Sequence, residues 1–370
     1  MLLAAYCLAT NTVQSQGFIS RTIGGFIHDT SQAGEPRFLI YPTIAYSPET
    51  SLEIGFSSLY VYYANRDTVN RLSEISAFTF FTLRNQYGFW LDNALYSDQD
   101  KIFLLGKLRI QSFPLFYYGI GQGTPKHYQA RVDANQIWVK ERLLRKISKN
   151  LFLGLELDFQ RLSRVDFVRN KQFSTIELPV GSQGSTNFGV GMGVVYDNRH
   201  NVLNVRKGFF SEVGFLHYNK ALSGFRFNNF TSDTRLYRPL GKRNVIAMQL
   251  LGQFNTGNIP FNQLALMGGE SMMRGYYTGR FRDNNQIAAQ TEIRFLPLPL
   301  GFSKRIGAAV FGAAATTFPS VKDMFASRLI FSGGAGLRFL IFPKKDIYTR
   351  VDYAFTREGG GLYIFVGEAF

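Results

Sequence analysis

Residues 151–160 read LFLGLELDFQ and alternate between two kinds of side chain. Leucine or phenylalanine stands at every odd position, whereas Glu156, Asp158 and Gln160 stand at even positions. Successive side chains of an extended strand point to opposite faces, so the pattern predicts a strand with one apolar and one polar face. The same period of two recurs at 286–295 and 347–355. A membrane barrel and a soluble sandwich both contain such strands, so the period alone does not separate them.

About sixteen segments of this kind follow one another from residue 37, separated by Gly, Pro, Asn, Asp or charge clusters. The predicted strands are 37–46, 51–63, 72–83, 87–96, 101–113, 127–140, 150–160, 185–197, 207–218, 226–238, 244–254, 285–296, 305–317, 328–340, 346–356 and 361–370. Bacterial outer-membrane barrels have an even number of strands.

The length of a connection depends on whether it follows an even-numbered or an odd-numbered strand, and this pattern favours the barrel. Connections after even strands are mostly short and basic, at 97–100, 145–150, 240–244 and 342–346; the long ones follow odd strands, at 114–126, 160–185, 257–284 and 318–327. Short turns at one rim and long loops at the other are typical of outer-membrane barrels. We therefore predict an all-β fold, a sixteen-stranded antiparallel transmembrane β-barrel over 37–370. The predicted lipid-facing residues are Leu151, Leu153, Leu155, Leu157, Ile287, Ile293, Val351 and Phe355, and the lumen-facing ones are Glu156, Asp158, Gln290 and Arg350.

Composition excludes several classes of protein. Hydrophobic residues make up 45% of the 370, enough to bury a large surface, which excludes a disordered chain. No run approaches ~18 consecutive apolar residues, which excludes a bundle of membrane helices. The net charge of +15 raises the alternative of nucleic-acid binding, which needs a basic face. Because Lys107 and Arg109 lie on a predicted lumen wall, we interpret the charge as a basic interior with basic turns and predict no nucleic-acid partner.

The amino-terminal residues predict a signal peptide over 1–15, with an apolar core from Leu2 to Ala9, and a short segment over 16–36. The single cysteine, Cys7, falls in this leader, so neither a disulfide nor a thiolate metal site is expected. No G-x-S-x-G motif is present, and the four histidines do not have metal-ligand spacing. We predict no enzyme activity, and hence no catalytic residue, no metal and no cofactor.

Four motifs occur in order along the chain. They are Phe116–Gly121 after the fifth strand, Tyr196–Arg199 with Lys207-Gly208 between the eighth and ninth, Met273-Arg274-Gly275-Tyr276 between the eleventh and twelfth, and Glu292–Pro297 at the end of the twelfth. In these motifs the chain resembles the BamA/TamA family of outer-membrane proteins, also called the bacterial surface antigen family, over about 110–370. The resemblance implies that the loop between strands eleven and twelve folds back into the barrel, where its arginine-containing tetrad fastens it.

This sequence differs from that family in the acid that can pair with Arg274. Many members have F-x-D-x-G on strand thirteen, and its aspartate is one partner of the loop arginine. The matching run here begins at Phe311 and has Ala313 in place of the acid. Glu292, inward on strand twelve, is the predicted partner, and Asp352, inward on strand fifteen, is the rival. A guanidinium suits this role because it stays charged and holds carboxylates through fixed donors.

The resemblance implies a role in outer-membrane biogenesis, assisting the insertion or translocation of proteins or lipids at the outer membrane of a Gram-negative bacterium. The implied partners are outer-membrane lipid or lipopolysaccharide, and unfolded outer-membrane protein clients or a separate periplasmic partner. Family insertases carry POTRA domains before the barrel, and this sequence leads us to expect a barrel-only member. The alternative is a plugged or passive channel, or a structural surface barrel without insertase activity.

The carboxyl-terminal segment is the predicted insertion signal for the barrel itself. Tyr363 and Phe365 alternate with aliphatic residues, and Phe370 is the last residue of the sequence. In proteins resembling this one, the assembly machinery recognises a terminal aromatic strand.

Overall fold

Sixteen antiparallel strands form the barrel wall in the computed structural model, which describes residues 34–112, 114–169, 177–199, 204–241, 243–298, 300–301, 303–342 and 346–370. The strands are β1 (Arg37–Ser47), β2 (Ser51–Tyr63), β3 (Leu72–Thr82), β4 (Tyr87–Tyr96), β5 (Ile102–Ser112), β6 (Ala130–Ser148), β7 (Leu151–Arg169), β8 (Ser185–Asp197), β9 (Gly208–Tyr218), β10 (Phe227–Leu240), β11 (Asn244–Gly257), β12 (Asn285–Phe295), β13 (Ile306–Phe318), β14 (Ile330–Phe342), β15 (Ile347–Thr356) and β16 (Gly359–Val366). The predicted fold class and strand number are confirmed. The predicted signal peptide lies outside the described residues.

Three short strands and three 3-10 helices complete the secondary structure of the described residues. Leu115–Tyr117 pairs with β6, and Ala265–Met267 pairs with Phe281–Asp283 as a separate ribbon in the loop between β11 and β12. The 3-10 helices span Ala64–Arg66, Asp98–Asp100 and Val321–Asp323. In the part of the chain that the structure describes, no helix has the length and apolar character to cross a bilayer.

The barrel closes between its first and last strands, at a junction that we call the seam. Each strand pairs with the next one along the chain, and β1 pairs with β2 at eleven positions from Arg37 to Ser47. Among the described residues, β1 pairs with β16 at one position only, Tyr46 with Ile364. The seam therefore has far less backbone pairing than any junction between neighbouring long strands.

Three predicted strand boundaries are wrong by more than three residues. The sixth and seventh strands, predicted over 127–140 and 150–160, reach Ser148 and Arg169. The apolar alternation of the seventh strand stops near Gln160, but its backbone ladder continues through polar pairs such as Asp133 with Asp166. The last strand, predicted over 361–370, ends at Val366, where Gly367 takes a φ of +90° and turns the chain away.

The two ends of the barrel differ in the length of their connections. We call the end with the connections after even-numbered strands the even rim, and the opposite end the odd rim. The four longest connections, 113–129, 170–184, 258–284 and 319–329, all belong to the odd rim. The even rim has short turns at 149–150 and 241–243, although its connections at 198–207 and 296–305 each have ten residues.

The outer face is apolar and the inner face is polar, as the alternation predicted. On β7 the side chain of Leu155 is 59% exposed, whereas Glu156 is 0% exposed. Glu156 Oε2 lies 2.7 Å from Arg142 Nε, and Glu156 Oε1 lies 2.7 Å from Lys140 Nζ. The lumen also contains a cavity of about 830 Å³, whose lining includes Leu251.

Leu250 and Leu251 provide a matched test of the two faces. Leu250 is 52% exposed on the outer face at the middle of β11, whereas Leu251 lines the lumen cavity. We expect Leu250→Arg to lower the free energy of unfolding by about 2–4 kcal/mol, because the charge enters hydrocarbon. Leu251→Arg places the same charge in the polar lumen and should cost much less. Urea titrations of the barrel refolded in lipid vesicles measure both, and an equal or larger cost at 251 would contradict the assignment.

Candidate functional site

Seven charged side chains meet at the inner face of the barrel, in a group that we call the lumen charge cluster. Its members are Arg274 from the loop at 258–284, Glu292 and Arg294 from β12, Arg338 from β14, Arg350 and Asp352 from β15, and Glu368 beyond β16. A spacing of two residues places both members of each strand pair on the inward face. Because the side chains are almost completely buried, each charge depends on the opposite charges around it.

Arg274 contacts both carboxylates that the sequence offered as alternatives. Its Nη2 lies 2.6 Å from Glu292 Oε2, and its Nη1 lies 2.6 Å from Asp352 Oδ2. The guanidinium carbon lies 3.4 Å from the centroid of the Phe311 ring. One planar group is thus divided between two strands and stacked on a third, which a fork of fixed donors permits and a single ammonium does not. The two acids are not exclusive partners, because each takes a different end of the guanidinium.

The neighbours of Arg274 in the tetrad shape the turn around it. Met273 has a φ of +57° and Gly275 a φ of +100°. A Cβ at Gly275 would lie 2.5 Å from Thr356 Cγ2 and 3.3 Å from Ala354 Cβ, so the backbone lies directly against β15. Tyr276 is 3% exposed, and its ring packs edge-on against Phe281 at 5.4 Å between centroids.

An apolar cluster occupies the region where many relatives have the strand-thirteen acid. Met267, Met273, Tyr276, Phe281, Ala288, Ala315 and Ile330 form it, and Ala313 packs against it. The loop is therefore held by charge at Arg274 and by apolar contact on either side of that residue.

Arg338 connects the remaining carboxylates of the cluster. It lies 3.0 Å from Glu292, 2.6 Å from Asp352 and 2.9 Å from Glu368. Arg294 lies 2.9 Å from Glu292 Oε1, and Arg350 Nη1 lies 3.1 Å from Asp352 Oδ2. Every carboxylate therefore contacts at least two guanidinium groups, which offsets the cost of burying it.

The residues after β16 return into the even end of the lumen and join the cluster. Phe370 is 9% exposed and packs with Tyr237 on the opposite wall, and its main-chain oxygen accepts a hydrogen bond from Arg294 Nη2 at 3.0 Å. Phe370 thus lies outside the last strand, contrary to the expected terminal aromatic strand. Tyr363 and Phe365 do belong to β16. The role of the three residues as an insertion signal stays a prediction.

The loop at 258–284 also contacts both sides of the seam. On the β1 side, Glu49 in the β1–β2 turn accepts hydrogen bonds from the Thr278 backbone N–H at 2.8 Å and from its hydroxyl at 3.2 Å. On the β16 side, the Tyr363 hydroxyl accepts one from the Gly275 N–H at 2.9 Å. Arg280 pairs with Glu358 in the β15–β16 turn at 2.6 Å. The same loop therefore joins two edges that hardly pair with each other.

Burial affects the protonation of Glu49, which contacts the loop on the β1 side of the seam. Desolvation raises the pKa of Glu49 above its usual range, and the carboxylate of Glu270 acts in the same direction. The hydrogen bonds from Thr278 oppose this shift because they favour the charged form.

Sequence reasoning missed Arg338, Glu368 and the Arg280–Glu358 pair. Arg338 could have been found from its inward position on β14, whereas Glu368 lies beyond the last strand, where alternation carries no information. The structure brings Met273, Arg274, Gly275 and Tyr276 together with Glu292 and Tyr363. Among the residues described, no group of His, Cys, Asp and Glu has the arrangement of a metal site.

Comparison with known proteins identifies a family and a fold. The model of the Omp85 superfamily domain matches residues 99–359. No curated protein sequence matches the chain. BamA from Haemophilus ducreyi lacking POTRA domains 1-3 is similar in structure, with a TM-score of 0.58, 14% identity, and coverage of 91% of this chain and 70% of that chain.

Two CdiB structures are similar as well. CdiB from Acinetobacter baumannii has a TM-score of 0.59 at 13% identity, covering 91% of this chain and 60% of that chain. CdiB from Escherichia coli has a TM-score of 0.57 at 10% identity, covering 88% and 62%. The chain thus spans less than two thirds of the length of either CdiB chain. At these identities the similarity is one of fold.

The division of Arg274 between two acids is testable by double-mutant cycles. We expect Arg274→Ala, Glu292→Ala and Asp352→Ala each to lower the free energy of unfolding by about 3–5 kcal/mol, because each leaves buried charge uncompensated. Both cycles with Arg274 should show coupling, and Arg274→Lys should not restore stability. Urea unfolding and protease cleavage within 258–284 provide the two readouts. Arg131→Ala, which breaks an exposed pair with Asp133, is the control and should cost about 0–1 kcal/mol. Additive effects in both cycles would contradict the shared contact.

Gly275 allows a separate test of how closely the loop approaches β15. Gly275→Ala should speed protease cleavage of the loop, because the new methyl group meets Thr356 in addition to the unfavourable φ. Gly121→Ala is the matched control, with a φ of +93° and nothing within 4 Å of the added Cβ. The left-handed conformation alone costs about 1–2 kcal/mol. Equal effects of the two substitutions would show that contact with β15 contributes nothing.

Proposed function

The chain belongs to the Omp85 superfamily, and we propose that it assists the insertion or translocation of proteins at the outer membrane of a Gram-negative bacterium. As a member of this superfamily it is an outer-membrane β-barrel protein. The observation that carries the proposal is the seam, where β1 and β16 pair at one described position while each is fully paired on its other side.

A poorly paired seam offers strand edges to a client. An unpaired edge presents N–H and C=O groups that a second extended chain can pair with. Opening a full-length junction would break several hydrogen bonds, each contributing roughly 0.5–1.5 kcal/mol, whereas this seam has few to break. An unfolded client strand would add to the edge of β1 or β16 and enter the bilayer sideways. No covalent step is involved, so we propose no enzyme activity.

The loop at 258–284 would regulate this opening, since it contacts residues on both sides of the seam. Separation of β1 from β16 stretches either the Glu49–Thr278 contact or the contacts of Tyr363 and Glu358. The lumen charge cluster fixes the loop against β12 and β15 while this happens. Outer-membrane lipid or lipopolysaccharide, unfolded outer-membrane protein clients and a periplasmic partner are the partners that we propose.

A passive channel or structural barrel is the second candidate, and the cavity of about 830 Å³ in the lumen favours it. A channel needs a continuous aqueous path but no opening of the seam. A covalent lock on the seam should therefore stop the insertion function but leave a channel unaffected.

Locking the seam distinguishes the two candidates. Tyr46→Cys with Ile364→Cys joins the one described pair of seam positions, and Phe56→Cys with Thr79→Cys joins a pair within the β2–β3 junction as the control. Depletion of the native protein should lower the amounts of many other barrels in the outer-membrane proteome. We expect the oxidised seam variant to fail to restore them. The oxidised control and the reduced seam variant should restore them. An unchanged proteome after depletion, or full activity of the locked seam, would contradict the insertion function.

A further inference from the structure

The basic charge of the even rim is concentrated on one part of its circumference. Its seven connections carry thirteen Lys and Arg against four Asp. Five consecutive connections, 149–150, 198–207, 241–243, 296–305 and 343–346, have ten of these basic residues and one acid, and we call them the basic arc. The other two, after β2 and β4, have three basic residues and three acids. The surplus therefore lies entirely between β6 and β15.

The odd rim has no comparable concentration. Its connections contain about twice as many residues as those of the even rim, yet they carry eleven Lys and Arg against six Asp and Glu. Several of these residues are occupied by contacts with one another, such as Arg280 with Glu358. The basic arc is thus a property of one rim and not a consequence of the net charge of the whole chain.

The acids near the basic arc are already paired, and four of its described cations are exposed. Asp346 pairs with Arg206, and Asp197 at the end of β8 pairs with Arg199, each at 2.8 Å. Lys149, Arg243, Lys304 and Arg305 are exposed. These four have no ion-pair partner within the described part of the chain. Four cations on three connections therefore remain available for an external anion.

The exposed cations lie at the edge of the apolar outer band. Ile147, two residues before Lys149, is 57% exposed; Leu240, three before Arg243, is 41% exposed; and Leu300, four before Lys304, is 38% exposed. In a membrane, residues that border the apolar band lie at the level of the lipid headgroups. Long loops mark the outer side of such barrels and short turns the periplasmic side, so the basic arc lies at the periplasmic leaflet.

The extent of the basic arc indicates the kind of ligand. The exposed cations lie on connections between β6 and β13, and these eight strands, about 4.8 Å apart, spread them over roughly 35 Å of a convex wall. A lipid leaflet follows such a wall, whereas a folded protein domain would contact only part of it. We propose that the basic arc binds the anionic phospholipid headgroups of the periplasmic leaflet, so that the barrel is attached from β6 to β13 and not along the β1 side of the seam.

The test compares lipids retained around two variants of equal net charge. The arc variant carries Lys149→Gln, Arg243→Gln, Lys304→Gln and Arg305→Gln. The control carries Arg84→Gln, Lys220→Gln, Arg226→Gln and Lys322→Gln, at four exposed positions of the odd rim. Each protein is refolded in vesicles of phosphatidylcholine with about one quarter phosphatidylglycerol and excised in polymer nanodiscs, and mass spectrometry gives the lipid ratio. Heat modifiability first shows that each variant is folded.

We expect phosphatidylglycerol to be enriched above the bulk ratio around the wild type and the control, and to return to the bulk ratio around the arc variant. One basic residue near an anionic surface favours binding by about fivefold, so loss of four should abolish the enrichment. High salt, about 1 M, should abolish it for the wild type too, because the screening length falls to about 3 Å. Absence of enrichment around the wild type, or equal enrichment around both variants, would overturn the proposal. Equal enrichment would leave an acidic protein as the ligand of the basic arc.

Discussion

The guanidinium of Arg274, shared between Glu292 and Asp352, is the contact on which the interior of this barrel depends. The loop at 258–284 contacts the polar inner face as well as apolar side chains, so it needs an attachment that remains strong among polar groups. Two charge-assisted hydrogen bonds from one rigid group meet that need. They also fix a geometry, because the acids belong to β12 and β15, and Arg274 reaches both only when the wall between these strands keeps its curvature. The position of the loop is thereby coupled to the shape of the barrel.

The same dependence extends to the seam through β16. Along its free edge β16 has a single described pair with β1, yet side chains hold both of its ends. At the odd end, Tyr363 accepts from Gly275, next to Arg274 in the loop. At the even end, Glu368 pairs with Arg338, which itself pairs with Glu292 and Asp352. Along the edge that faces β1, the last strand is therefore held by these side-chain contacts more than by backbone pairing. Side-chain contacts of this kind break and re-form without unfolding a strand, which suits a junction that opens.

Most of the wall and part of the lumen charge cluster could be predicted from the sequence, for one physical reason. A strand with lipid on one face and water on the other must alternate, so the sequence alone places Glu292, Arg350 and Asp352 on the inward face. Alternation says nothing about distance between strands that are not neighbours, so the sharing of Arg274 between β12 and β15 was not predictable. Nor does it apply where side chains leave the bilayer, which is why β7 is predicted too short beyond Gln160. The last strand is predicted too long because Gly367, with a φ of +90°, turns the chain away before Phe370.

The alanine at 313 is consistent with this arrangement. Arg274 already has an acid at each of its two terminal nitrogens, and the ring of Phe311 from β13 lies against its face. An aspartate at 313 would lie against the apolar cluster that contains Met273 and Tyr276. Burying that carboxylate without a cation would cost several kcal/mol, and withdrawing Arg274 to meet it would abandon Glu292 or Asp352. Ala313 and Asp352 therefore complement each other. Many relatives have the acid on strand thirteen, whereas here Asp352 on strand fifteen supplies the charge. Ala313 instead packs against the apolar cluster that holds the loop.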